Sequence, residues 1–212
     1  MKFGKLLLFT LTLSVLFSCV EHEVIPAPIP KVNLISKFTG TINGVSIEYN
    51  EGVDNYTCTP TQDKNLLTSP SLSSAIYYSE ISSSTYKTGI RIGLGKINWD
   101  AGSESEPSLS IFNSFFTTSS NILPHYKDNC MPGFNVKYTD EVGTVYTSRD
   151  TSSQFQNVKF SNMIQESDPN GDYSKFLCTF NCYVYYASGP APAVGLDSIQ
   201  IQNGQFKGWF KK

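Results

Sequence analysis

The sequence predicts an all-β fold, a single antiparallel β-sandwich or flattened barrel carrying one short helix. Three observations lead there. Apolar and polar residues alternate through most of the chain, as at Val45, Ile47 and Tyr49, or at Phe176, Cys178, Phe180, Cys182 and Val184; a period of two marks strands with one buried face. Turn chemistry separates the runs, with Asn-Gly at Asn43-Gly44, Asn170-Gly171 and Asn203-Gly204, the dipeptide that tolerates the positive φ angles of tight hairpins. The runs follow one another without βα alternation, which excludes a parallel sheet. At 212 residues the chain suits one sizeable all-β domain. A charged fraction of 16% against 13% aromatics opposes disorder.

In chain order, Ile35 to Tyr49 reads as a hairpin around Asn43-Gly44. Ser74 to Glu80 is a strand, and Thr88 to Trp99 another with Ile90, Ile92 and Leu94 on one face. Asp63 to Ser74 and Asp100 to Glu106 are polar loops. The period changes in Pro107 to Ser119, where Leu109, Phe112 and Phe116 recur at three- and four-residue spacing, predicting a short helix that plugs one end of the barrel. A strand on Leu109, Ile111 and Phe115 is the competing reading. Gly133 to Thr147 is a hairpin turning at Thr139 to Gly143, Phe155 to Ile164 a strand, and Tyr173 to Ala187 the longest strand. After the Pro/Gly loop Ser188 to Gly195, Leu196 to Phe210 reads as a last hairpin turning at Asn203-Gly204.

The N-terminus is of another kind. Lys2 and Lys5 precede an uncharged run from Leu6 to Phe17, too short for a membrane span of about 20 residues but right for a secretory leader. Leu16-Phe17-Ser18-Cys19 resembles the lipobox of bacterial lipoproteins. That resemblance implies a leader over residues 1–18, cleavage before Cys19, lipidation of Cys19, and a tether over residues 19–33 ahead of a β-rich domain from 34 to 212. Pro26, Pro28 and Pro30 favour an extended tether. The membrane is thus one expected partner, reached through the lipid. The expected address is the outer membrane of the cell envelope, with the periplasmic or surface face left open. Sixteen basic against 18 acidic residues leave no electrostatic footprint for nucleic acid.

Chemistry-bearing patterns are few, and none calls for a cofactor. His125 stands alone in the domain, which excludes histidine-based metal sites. Gly89 to Lys96 has the wrong spacing for a phosphate loop, and Ile97 stands where Ser or Thr binds magnesium. Asp168, Asn170 and Asp172 alternate as in calcium loops but lack the closing carboxylate, leaving them a weak metal candidate. Glu104 and Glu106 form an acidic pair in a Gly/Ser loop. With Cys19 lipidated, Cys58, Cys130, Cys178 and Cys182 remain as disulfide candidates. Four residues of strand put Cys178 and Cys182 ~13 Å apart, beyond the ~7 Å a disulfide tolerates, so bonds would run from Cys58 and Cys130 to that strand. Adjacent tyrosines cannot both face inward on one strand, so Tyr77-Tyr78 and Tyr185-Tyr186 should present rings to solvent or a partner. With Trp99 they are the candidate ligand contacts, aromatic faces being used to stack sugars and anchor interfaces.

Three stretches carry a family resemblance. Phe38-Thr-Gly-Thr-Ile-Asn-Gly44, Pro132-Gly-Phe-Asn-Val-Lys-Tyr-Thr-Asp-Glu-Val-Gly-Thr-Val-Tyr-Thr-Ser148, and Phe180-Asn-Cys-Tyr-Val-Tyr185 followed by Ile199-Gln-Ile-Gln-Asn-Gly-Gln-Phe206 resemble recurrent motifs of small Bacteroidetes β-rich lipoproteins of unknown function. Asp197-Ser198-Ile199 is similar to the O-glycosylation site of such bacteria, which implies Ser198 as an acceptor. The resemblance brings no catalytic residue. The expected function is a non-catalytic binding or structural module for a glycan or an envelope protein. An envelope hydrolase and a lipocalin-like carrier of an apolar ligand are the alternatives.

Overall fold

Ten antiparallel strands form one curled sheet, a half-barrel, in the computed structural model. The structure describes residues 30–102, 104–118, 133–149, 157–192, 195 and 197–212. Residues Lys31–Lys212 make one compact unit. The strands are β1 (Lys37–Ile42), β2 (Val45–Asn50), β3 (Tyr56–Asn65), β4 (Ser73–Ser83), β5 (Gly89–Trp99), β6 (Gly133–Thr139), β7 (Val145–Ser148), β8 (Asn157–Asp168), β9 (Gly171–Ser188) and β10 (Ser198–Lys211). Their order is β2-β1-β10-β9-β7-β6-β5-β4-β3, and β8 also pairs with β9. The 18-residue β9 serves both neighbours on one edge, pairing β8 along its first part and β7 along its last.

Curling brings the concave faces of β10 and β4 together. A side chain at Gly208 would lie 2.9 Å from Ser79 Oγ, so the glycine permits this close approach. The two edge strands β2 and β3 are consecutive in sequence, and Tyr49 and Tyr56 stack between them with ring centroids 4.5 Å apart. The concave face is filled with rings. Phe38, Phe112, Phe116, Phe134, Phe180 and Phe210 are all fully buried.

Helix α1 (Leu109–Thr118) closes the open side, as its spacing predicts. Ser108 caps it, its Oγ accepting a hydrogen bond from the Ile111 N–H at 3.3 Å. Pro107 therefore precedes the cap and does not sit in the first turn. Phe112 and Phe116 point inward onto Tyr77, while Phe116 also stacks on Phe210 at 4.8 Å. Leu109 and Ile111 stay partly exposed, so the strand alternative for this stretch does not hold.

Two expectations about the strands are corrected. Ser198–Lys211 is one strand, not a hairpin: Asn203 takes a positive φ of 51°, yet the register merely slips between Ile201 and Gly204, making a bulge opposite Phe180. Asn181 Oδ1 accepts the Asn203 N–H at 2.6 Å, and the Phe180 ring lies against Gly204. Residues 56–65, partly assigned to a loop, form edge strand β3, whose polar sequence has one buried residue, Tyr56. By contrast Asn43 and Gly44 do turn the β1–β2 hairpin, both with positive φ.

Candidate functional site

Three of the five aromatic residues singled out from the sequence, Tyr77, Tyr78 and Trp99, are buried. Tyr77 is fully buried against α1. Tyr78 faces the opposite side of β4 yet is only 2% exposed, because it lies flat over Gly93 on β5 with the Arg91 guanidinium 4.3 Å above its ring. A Cβ at Gly93 would come within 2.4 Å of that ring, which explains the glycine. Alternation was right about direction, but a ring laid on a glycine is covered on either face. Trp99 is also buried, its indole N–H donating to the Glu104 carbonyl at 3.1 Å. Tyr185 and Tyr186 are half-buried; Arg149 stacks on Tyr185, and the Tyr186 hydroxyl donates to the Gly189 carbonyl. Of the five, only this last pair retains accessible surface.

The other candidates also resolve into local structure. Asp168 Oδ1 accepts from the Asn170 N–H and Oδ2 from the Val32 N–H, while Asp172 accepts from Ser167 Oγ. The Val32 amide, then those of Asn170 and Gly171, hold the Asp168 carboxyl below its ordinary value. This is turn chemistry, and no metal-binding cluster exists among the described residues. Glu106 is ion-paired to Lys64 at 2.5 Å and to Lys212 at 3.8 Å, so the Glu104/Glu106 pair is not a free carboxylate dyad. None of Cys58, Cys178 and Cys182 is in a disulfide, which corrects the expected bonds for these three. Cys58 lies on edge strand β3 and contacts Ser79, far along the sheet order from β9, where Cys178 and Cys182 are buried in the core. Burial raises the Cys58 and Cys178 thiols. Cys19, Cys130 and His125 lie outside the described residues. Ser198 is exposed at the start of β10.

One concave site was not anticipated. Residues 33–35 cross the convex face of β8, β9 and β10 and leave a cleft of about 370 Å³. Its floor is Leu177 and Trp209; its walls are Leu34, Ile35 and Ile164, with Lys175 and Lys207 at the rim. The Trp209 indole N–H donates to the Leu34 carbonyl at 3.1 Å, and the ring packs edge-on against Tyr173. A bulge in β8, with Asn162 at positive φ, shifts the register ahead of Ile164 and leaves it 48% exposed beside Ile35 at 58%. Lys175 is paired with Glu166 at 2.7 Å. Lys207 faces Lys37 across β10 and β1, but Lys37 is neutralised by Glu48, and Lys207 has no ion pair among the described residues. The cleft thus offers apolar walls, a buried indole and one cation without an ion pair among the described residues. Nothing in a linear reading points to it, since Leu34 and Trp209 are 175 positions apart.

The interior, where a carrier would hold its ligand, is occupied by packed rings: Phe176 stacked on Phe210 at 4.4 Å and Phe112 edge-on to Phe116 at 4.7 Å. No protein-family model, characterised protein or solved structure matches the chain.

Proposed function

We propose that the chain is a lipid-anchored lipoprotein of the outer membrane, and that its domain is a non-catalytic binding module whose ligand seats in the Trp209 cleft. The observation that carries this reading is the make-up of the cleft. It lies within the volume range of small-ligand sites, is mostly apolar, and carries a cation without an ion pair among the described residues, Lys207, positioned by a rigid sheet. Such a surface fits an anionic glycan residue or an acidic side chain of an envelope protein. The anchor half of the proposal rests on the leader and on Leu16-Phe17-Ser18-Cys19.

Two measurements test the two halves separately. The mass of the protein purified from membranes should correspond to a chain starting at Cys19 with fatty acyl groups attached; an unmodified Cys19 removes the anchor. A photo-crosslinking residue placed at Lys207 in living cells should yield a discrete adduct, absent when the same residue is placed at Val142 on the β6–β7 turn. Equal labelling at both positions, or none at Lys207, removes the cleft as a binding site.

A further inference from the structure

Leu66, Leu67 and Leu72 stand out on the β3–β4 loop, exposed by 54%, 42% and 56%. Leu66 and Leu67 border an open cleft of about 640 Å³ against Ala101, Gly102 and Glu104. Leu109 and Ile111, just after Glu106, add further exposed apolar surface. Exposed leucines gathered at one loop mark a contact surface and not ordinary solvent-facing chain.

A series of contacts shows which pole of the half-barrel this is. Lys64, at the foot of the leucine loop, pairs with Glu106, and Glu106 with Lys212. The Lys212 N–H donates to the Asp172 carbonyl at 3.0 Å. Asp172 begins β9 beside the β8–β9 turn, and Asp168, at the end of β8, takes the Val32 N–H. The leucine loop and the point where the chain joins the domain therefore share one pole. Cys19 lies twelve positions before Lys31, a reach of at most ~37 Å for an extended Pro-rich segment.

We propose that this pole docks on the bilayer, with Leu66, Leu67 and Leu72 inserted among the lipid headgroups and upper acyl chains. The proposal rests on the lipidation of Cys19 put forward above and goes beyond it, because it gives the domain a second membrane contact and a fixed orientation. Leucines entering ~5–10 Å deep suit the interfacial zone. Docked this way, the domain holds the Trp209 cleft to the side and the β6–β7 turn away from the membrane.

The test uses the full protein as the cell exports it, reconstituted in vesicles of phosphatidylethanolamine and phosphatidylglycerol with brominated acyl chains. Leu72→Trp and Val142→Trp are compared against the parent, whose two tryptophans, Trp99 and Trp209, are buried. Bromine should quench the Leu72→Trp emission at least about two-fold more than that of Val142→Trp, as expected for a side chain at interfacial depth. Equal quenching at both positions overturns the proposal. So does a blue-shifted but unquenched Leu72→Trp signal, which would put a protein surface over the loop. The mass at Cys19, read on the same sample, reports the anchor independently, so loss of the anchor and loss of docking are distinguishable.

Discussion

Helix α1 exists only because two rings hold it. Ten residues are too few for a stable isolated helix, and α1 has no acidic residue in its first turn and no basic residue in its last. Phe116 is fully buried and packs against Tyr77, Phe112, Phe115 and Phe210 with centroids 4.7–5.7 Å apart. Phe116→Ala loses about 2 kcal/mol of transfer free energy. The void it leaves, roughly 100 Å³ at ~24 cal/mol per Å³, costs a similar amount. The sum, about 4 kcal/mol, corresponds to a drop of roughly 8–16 °C in melting temperature for a domain of this size. The assay is urea unfolding followed through Trp99 and Trp209, with the partly exposed Ile111→Ala as comparison; that change should cost under ~1 kcal/mol. A Phe116→Ala loss no larger than that of Ile111→Ala refutes the claim that the helix is a plug, and would make it a loosely attached surface turn.

Other outcomes follow from single contacts. The Tyr77 hydroxyl is buried without a hydrogen-bond partner, so Tyr77→Phe should leave stability unchanged or raise it by up to ~1 kcal/mol, measured by the same unfolding curves. Gly204→Ala puts a Cβ 3.0 Å from the Phe180 ring and should destabilise by about 1–3 kcal/mol, seen as a lower melting temperature. Burial raises Tyr138 to about 12 and Tyr49 and Tyr77 in the same direction. The folded state therefore binds these protons more tightly than the unfolded state. Stability should be fully present below pH ~10 and fall as pH rises toward ~12, with the tyrosinate absorbance of these residues appearing only as the domain unfolds. Calcium at about 1 mM should leave the melting temperature unchanged, because Asp168 already serves the Val32, Asn170 and Gly171 amides; a rise of several degrees would reinstate a calcium site.

The fold was legible where local chemistry decided it. Alternation placed β9, Asn43-Gly44 placed the first hairpin, and the spacing of Phe112 and Phe116 placed the helix. It failed where the same local signal serves two outcomes. Asn203-Gly204 has the residues of a turn, but the partner strand carries Asn181 and Phe180 at the matching position, and pairing on both sides made it a bulge. Strand β3 was missed because an edge strand needs little apolar surface. The tyrosine pairs were misjudged for a related reason: alternation says which face a side chain takes, not whether a glycine and an arginine cover it there. The Trp209 cleft joins the first and last segments of the β domain and has no signature within any window of sequence.

The place of β1 has a consequence for how the protein is made. It lies between β2 and β10, so the first strand of the domain pairs with the last, Lys37 opposite Lys207. The β1–β2 hairpin can form early, but it has no sheet to join until residues near the C-terminus exist. Contacts of such sequence separation form late and slowly. In a chain emerging N-terminus first, β1 and β2 would thus wait outside the sheet until Ile201–Lys207 had emerged. Removing β10 should therefore leave β1 and β2 without a place in the sheet rather than yield a slightly smaller domain.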